Sequence, residues 1–515
     1  MPGAILKLPV GRKPSPQLTL YITNRMEAGT ESQLTALSRR MKALVRNWNA
    51  WSVALALAGG AWMRLWMLKA IPQITFDTLL YGNLAKNLLQ GRFAMTDGNG
   101  VAHETLIRLP GYPLLLAACF RLFGVDNYNA VSYVQIALEL AGCLLLAGFV
   151  RRIARPAYRD GAAHWTLWIA ALCPFTAAYA VAPLTETSTL FAIALALWAL
   201  ARFVERPRWG DALAFTFAVC FAALLRPDGA LVGVALAPAL LLGLRHASIA
   251  RGRLVRMGIV CVVLALIPFG VWTARNWWVF HVFMPLAPRY ATDPGEPINP
   301  GWQRWMKTWC LDFVSTYDVY WNVPGQTLDL SKLPARAFDS PAQYAETAAI
   351  AAAYADNGQD LSPELDARFA QLADERVKAH PLRYYVWLPL GRMADMWLRP
   401  RVENLNIDLD WWVYSHHNSE TRFSWAYAGL NALCLLLALA GVCFRPKYWP
   451  WMVTYLVLRS ALLTTIEAPE ARYTLECFPM VFALAGIGIY EGYKKIRNAC
   501  ARREALPGEQ FVVGR

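Results

Sequence analysis

The sequence predicts an all-α polytopic membrane protein: a transmembrane bundle of about ten spans, with an amphipathic first outer loop and a long outer insert. Three observations carry this expectation. Of 515 residues, 56% are hydrophobic and only 17% charged, and the mean hydropathy is +0.29. Apolar runs of about 18–22 residues recur, enough to cross a hydrocarbon core about 30 Å thick. Short Arg and Lys clusters fall between alternate runs, as cytoplasmic loops do. Many of the 22 Trp and 21 Tyr stand at run ends, where interfacial belts form. The formal net charge of +14 therefore reads as a topology signal, and no nucleic-acid partner is expected.

Residues 1–49 are polar and weakly patterned, and end in Arg39, Arg40, Lys42 and Arg46. They read as a disordered cytoplasmic leader without a cleavable signal. An N-terminal membrane module follows over 50–278. Its first span runs from Trp51 to Ala70 and exits outward. The first outer loop, 71–128, is too polar to cross the bilayer and too rich in Leu, Ile and Tyr to be a free linker. Leu80, Leu84 and Leu88 repeat at helical spacing, so Asp77–Leu89 is expected to be a surface helix ended by Gly91. Pro110–Phe123 is apolar but short, and Arg121 interrupts it; it reads as an interfacial helix.

Spans two and three are expected near Asn129–Val150 and His164–Ala182; span four then returns by Val204, span five climbs to Arg226-Pro227-Asp228-Gly229, span six descends to Arg245 and span seven rises to Arg275-Asn276-Trp277-Trp278. The basic clusters at Arg151–Arg159, Arg206–Arg208 and Arg245–Arg256 then all fall inside. A polar insert, 279–421, lies outside by the same alternation. It holds two expected helices, near Pro341–Ala355 and Pro363–Ala379, and an aromatic amphipathic stretch, Leu382–Leu398, that reaches toward the interface. The C-terminal helices occupy 422–493, with spans near Phe423–Phe444, Trp451–Thr465 and a last one ending at Lys494. A cytoplasmic tail, 494–515, closes the chain.

With this topology, Asp77, Arg108, Glu186, Arg226, Asp228, Arg275, Glu470 and Arg472 stand at the outer ends of spans. Charges near membrane depth are costly and tend to face one another or a cavity. Arginine binds phosphate bidentately, and a carboxylate serves as general base for a hydroxyl. Arginines and an isolated acid beside the bilayer suit a lipid-phosphate substrate. Each residue has a plainer reading. Arg226 and Asp228 could bridge one turn, Arg275 beside Trp277 and Trp278 could anchor the interface, and Glu186 could be solvated. Asp77 could cap its helix. Mid-span Glu139, one turn after Gln135, reads as a packing hydrogen bond. His416-His417 lacks a third ligand and reads as surface, His103-Glu104 is equally ambiguous, and the ten Cys have no metal or disulfide spacing.

Read in order, Asp77, Arg108-Leu109-Pro110-Gly111-Tyr112-Pro113, Leu184-Thr185-Glu186, Leu225-Arg226-Pro227-Asp228-Gly229, Arg275-Asn276-Trp277 and Glu470-Ala471-Arg472-Tyr473 form a pattern. It resembles the bacterial GT-C glycosyltransferases, in the group that includes dolichyl-phosphate-mannose protein mannosyltransferases and aminoarabinose transferases. The similarity runs from about Trp51 to Tyr493, outside most of the insert. It implies a GT-C-type bundle that moves a sugar from a polyprenyl-phosphate donor to a hydroxyl of a lipid, glycan or protein acceptor. The work would be done at the outer face of a bacterial inner membrane. It implies Asp77 as the catalytic acid/base residue, with Arg108, Arg275 and Arg472 on the donor phosphate. Tyr112, Glu186, Arg226, Asp228, Glu470 and Tyr473 would line the cavity. Asp77-Thr78 stands where protein mannosyltransferases often carry two acids, which speaks against a protein acceptor. Arg108-Leu109 stands where the aminoarabinose group has Glu-Lys, which leaves use of a divalent metal ion open. The rival from another class is a lipid or sugar-lipid transporter, which would show internal repeats and broken spans with mid-membrane charges.

Overall fold

The computed structural model describes residues 50–71, 74–244, 250–405, 407–410, 412 and 418–504. Residues 1–58 and 59–515 form two units, and of the first only Ala50–Ala58 is described. The expected leader, Arg245, His416-His417 and the tail beyond Glu504 lie outside the described residues.

Helix α1 spans Ala50–Ala70. Helix α2, Phe76–Leu89, lies where the Leu spacing places it. Thr75 is its N-cap: its hydroxyl accepts from the Thr78 backbone N–H, and the Thr78 hydroxyl reaches back. Capping by Thr75 leaves Asp77 in the first turn, free of a capping role. Gly91, at φ +82°, turns the chain out of the helix. A short antiparallel hairpin follows, β1 (Ala94–Thr96) and β2 (Ala102–Glu104). Three-residue strands are too short to show alternation in the sequence, so the hairpin was not expected. Asn83 and Asn87 of α2 bond Thr96 and hold the hairpin against the helix.

Helix α3, Gly111–Phe123, is the short apolar helix expected before span two. It starts against the end of the later helix Trp209–Leu225, and a Cβ on Gly111 would come within 2.6 Å of the Leu224 backbone. The glycine of the Pro-Gly-Tyr-Pro motif therefore permits this close crossing. The bundle continues with α4 (Tyr128–Ile153), α5 (Arg159–Ala171), α6 (Pro174–Val181), α7 (Thr185–Glu205), α8 (Trp209–Leu225), α9 (Ala230–Leu244) and α10 (Arg251–Phe280). The expected third span is thus two helices. Pro174 has no N–H and its ring collides with the preceding turn, so the helix breaks before it. Arg64 of α1 satisfies the freed end, donating to the Ala171 carbonyl at 2.6 Å. The same guanidinium grips Glu139 of α4 at 2.5 and 2.8 Å, fully buried. Glu139 is therefore engaged in helix packing, as expected, with an arginine as its partner.

In the insert, α11 (Pro300–Lys307), α13 (Pro341–Asp356) and α14 (Pro363–Ala379) build a core around Trp302, Trp305, Trp309 and Phe369, and the single turn α12 (Phe313–Ser315) follows α11 in the chain. Ser340 and Ser362 cap α13 and α14, each with Pro at the next position, which is why both starts were legible. Helix α15 (Leu388–Leu398) leads toward α16 (Asn418–Cys443), α17 (Trp449–Leu463) and α18 (Phe478–Glu504). Helices α16 and α18 meet closely: a Cβ on Gly441 would fall 1.9 Å from the Leu484 carbonyl oxygen.

Among the described residues, seven helices are long and apolar enough to cross a bilayer: α1, α4, α7, α9 with its leading turn, α10, α16, and α18 with its leading turn. The other three expected spans are helical too but shorter: the α5–α6 pair, the 17-residue α8 and the 15-residue α17. The protein is an all-α integral membrane protein.

Candidate active site

Five segments of the chain bring their charges together: the start of α2, the loop before α3, the start of α7, the turn after α8, and the turn between α17 and α18. Asp77 is the meeting point. One carboxylate oxygen lies 3.5 Å from Arg108 Nη2 and the other 3.1 Å from Arg472 Nη1. Arg472 is also paired with Glu470 and lies 3.9 Å from Glu186. Glu470 accepts from the Tyr473 hydroxyl. Arg226 lies 3.6 Å from Glu186 and 3.3 Å from Asp228, and both Arg226 and Arg472 face the Tyr473 ring. The Arg226–Asp228 turn pair of the plainer reading does exist, but as one link in a larger network.

Beneath this layer lies a second one. Glu476, on the turn leading into α18, sits 2.9 Å from Arg226 and 2.8 Å from Arg459 of α17. Arg459 also reaches Asp228 at 3.1 Å and donates to the Tyr473 carbonyl at 2.9 Å. Both Glu476 and Arg459 have 0% exposed side chains. Neither is among the charges at the span ends, because both lie inside or against apolar stretches. An isolated Arg in Tyr455-Leu456-Val457-Leu458-Arg459 is itself a signal, since an intramembrane charge needs a partner.

The upper layer is partly open. Side chains of Asp77, Arg108, Arg226 and Arg472 keep about a fifth to a quarter of their surface, whereas Glu186 is buried. Burial would raise the Asp77 carboxyl, but the Arg472 and Arg108 guanidiniums more than offset that and hold it below the ordinary carboxylate range. Asp77 is therefore ionised at neutral pH. The network counts five carboxylates (Asp77, Glu186, Asp228, Glu470, Glu476) against four guanidiniums (Arg108, Arg226, Arg459, Arg472). Every arginine is thus already paired, and an incoming anion must compete with a carboxylate.

Two expected members stand elsewhere. None of the bonds of Arg275 goes to the network. It pairs with Glu104 and donates to the Thr105 and Phe93 carbonyls at 2.7 Å and to Asn276 Oδ1 at 3.1 Å, among Phe93, Trp272 and Phe280. Four of its five N–H groups are thereby spent, three of them on stapling the hairpin to the end of α10. Tyr112 is fully buried and gives its hydroxyl to Gln135 Oε1 at 2.6 Å, packed edge-on to Tyr81. It belongs to the packing beneath α2. His103, with Asp97 at 3.3 Å, and Glu104 remain on the hairpin. Among the described residues, no three His, Cys, Asp or Glu side chains converge as metal ligands, and the network carboxylates are taken by guanidiniums. These residues do not fit a resident metal ion.

Helices of this length and polarity, and a charge network at one junction of them, define a membrane protein with a polar site. Residues 108–272 match the family model of dolichyl-phosphate-mannose-protein mannosyltransferases. In this stretch the chain is similar to that GT-C family, in keeping with the order of its motifs. No curated protein sequence matches the chain. Among solved structures it is similar to the archaeal oligosaccharyltransferase AglB of Archaeoglobus fulgidus in complex with an inhibitory peptide and a dolichol-phosphate. That match has 10% identity over 90% of this chain and 52% of that one, at a TM-score of 0.45. The same organism's enzyme in complex with Zn and sulfate matches at 11% identity over 88% of this chain and 51% of that one, at a TM-score of 0.42. ArnT of Cupriavidus metallidurans bound to undecaprenyl phosphate matches at 16% identity over 90% of this chain and 81% of that one, at a TM-score of 0.36. The chain spans about half the length of the archaeal enzymes.

Proposed function

We propose that the protein is a GT-C-type membrane glycosyltransferase that moves a sugar from a polyprenyl-phosphate donor to a hydroxyl of a lipid, glycan or protein acceptor. The observation that carries this reading is Asp77, ionised, partly open and held between Arg108 and Arg472. A carboxylate beside two arginines supplies both halves of the chemistry: a proton acceptor for the hydroxyl and a cradle for the leaving phosphate. The apo pairing adds a sequence of events. Donor phosphate competes for Arg108 and Arg472, and as they turn to it they release Asp77. Losing its cationic neighbours makes the carboxylate a stronger base at the moment a donor is bound. Arg226 and Tyr473 form the adjoining wall, with Glu186, Asp228 and Glu470 fixing the arginines. Arg275 and Tyr112 serve as structural supports of the loop.

In this reading 279–421 is an extracytoplasmic insert and 422–493 completes the membrane module begun at 50–278. The site faces the periplasm or exterior of a bacterial inner membrane, and the sugar is a hexose or pentose. The insert grips the turn that carries Glu470 and Arg472: Thr316 donates to the Pro469 carbonyl at 3.2 Å and Arg401 to that of Ala471 at 2.7 Å.

The test is sugar transfer from radiolabelled polyprenyl-phosphate donors in membranes that contain the wild-type chain or Asp77→Asn. Loss of a general base costs about 10²–10⁴-fold, so donor consumption should fall by at least that lower bound while the variant stays folded. Full activity in Asp77→Asn would sink the assignment. No consumption with any donor by folded wild-type protein would turn the reading toward lipid translocation.

A further inference from the structure

The stretch from Leu382 to Leu398, a wide turn followed by α15, presents an unusual outer face. Leu382, Val386, Leu390, Ala394 and Leu398, each four residues apart, are all exposed, and Tyr385 and Trp387 flank them. Leu382 is 68% exposed, Trp387 66% and Leu398 58%. No charged or polar residue interrupts the stripe. A helix that faces water carries polar residues on its outer side, so water is a poor solvent for this one. The opposite face is anchored to the protein: Leu388, Arg392 and Met396 are buried, and Arg392 donates to the Lys307 and Cys310 carbonyls.

Its anchors also set its depth. The Trp397 carbonyl accepts from Asn431 of α16 at 2.6 Å, and the Trp397 indole donates to Ser460 of α17 at 3.0 Å. Asn431 lies eight residues past Phe423, where the apolar run of α16 begins after Arg422. At about 1.5 Å per residue that is roughly 12 Å below the start of the run, about two fifths of a hydrocarbon core about 30 Å thick. Beyond Leu398 the chain turns back through Arg399-Pro400-Arg401. There Arg401 is buried, donating to the Ala471 carbonyl, Thr474 and Asn431. Irregular backbone and charge at such depth are tolerated where protein covers them, as it does here. On α16, too, Phe423, Trp425, Leu430, Leu433 and Leu436 lie open.

We propose that 382–403 is a re-entrant segment: α15 enters the outer leaflet from the insert, faces acyl chains with its Leu382–Leu398 stripe, and returns without crossing. The occupant of the stripe is lipid. Because the Thr474 hydroxyl donates to the Met396 carbonyl at 2.9 Å, the segment also ties the insert, through the bilayer, to the turn that bears Arg472. The proposal stands on the membrane fold alone and not on the glycosyltransferase reading.

The test is site-directed spin labelling of the full chain in nanodiscs. Cys443 and Cys500, the two exposed cysteines, are replaced by Ser. Single Leu390→Cys, Ala394→Cys and Leu398→Cys variants are then labelled, with Glu364→Cys as an aqueous control and Leu436→Cys as a lipid control. All three α15 labels should relax strongly with oxygen and weakly with a water-soluble nickel chelate, with Leu398→Cys matching Leu436→Cys. Relaxation by the nickel chelate at the level of Glu364→Cys would overturn the proposal. So would protection from both reagents, which would mean that protein, such as a second copy of the chain, covers the stripe. The three sites are exposed, so none of these substitutions empties the core, and any one that folds decides the question.

Discussion

Arg459 offers the sharpest test of the buried layer. Its guanidinium, fully enclosed, holds Glu476 at 2.8 Å, Asp228 at 3.1 Å and the Tyr473 carbonyl at 2.9 Å. Arg459→Gln leaves two carboxylates with Arg226 as their shared cation. Removing one partner of a buried ion pair costs about 3–5 kcal/mol, mostly the penalty of the stranded charge. That is a large fraction of the roughly 5–15 kcal/mol by which a domain is stable. Glu476→Gln should cost a similar amount, because it leaves Arg459 and Arg226 competing for Asp228 in the buried layer. The double variant Arg459→Gln/Glu476→Gln removes one charge of each sign and leaves Arg226 with Asp228. Its loss should be smaller than the sum of the single losses by about 1–3 kcal/mol. The assay is the denaturation midpoint and the half-life at fixed temperature in detergent, since a polytopic chain need not unfold in two states. Each single variant should therefore melt several degrees lower than wild type, with a correspondingly shorter half-life. A double variant whose loss equals the sum of the singles would refute the pairing, since it would show no coupling between the two side chains.

Asp77 is held below its ordinary range chiefly against burial by Arg472, then Arg108, so its base form should survive well into acid. The stability this carboxylate contributes is present above the unfolded pKa and is lost as pH falls through the lowered value. In Arg472→Gln the acid limb of the pH–rate profile should therefore move upward, and an unmoved limb would remove Arg472 as the cause. Arg275→Lys should loosen the hairpin, seen as faster proteolysis near 92–106, and leave the donor KM near wild type in the surviving fold. Arg472→Lys should do the reverse, raising donor KM with little change in proteolysis. Equal donor KM effects at both positions would return Arg275 to the phosphate site.

Why the sequence revealed one layer of the site and not the other follows from what constrains each. Asp77, Glu186, Arg226, Asp228, Glu470 and Arg472 sit at the ends of apolar runs, and hydropathy alternation forces those ends to one side. Convergence of charges there needs no knowledge of packing. Arg459, Glu476 and Arg64 lie within or against apolar runs, and their partners are set by which helices touch. The pairing of Arg64 with Glu139 joins residues 75 positions apart, a fact only the fold supplies. Arg275 misled for the same reason: it stands at a span end like the others, yet Glu104, 171 residues earlier, claims it through a hairpin too short to read from alternation. Tyr112 shares a motif with Arg108, but Arg108 lies in the loop before α3, whereas Tyr112 lies in the first turn of α3, which Gly111 lets press on α8. Motif proximity placed both at the site; the crossing of two helices sent one of them into the core. The broken third span carries the same lesson with the opposite outcome. Pro174 was visible, but whether it kinks or severs a helix depends on something to satisfy the freed carbonyl. Arg64, from another helix, makes the break affordable, and the resulting α6 carries Tyr179, whose hydroxyl meets Glu403 at 3.2 Å where the re-entrant segment returns. The break and the re-entrant return are thus joined by a hydrogen bond that neither segment specifies alone.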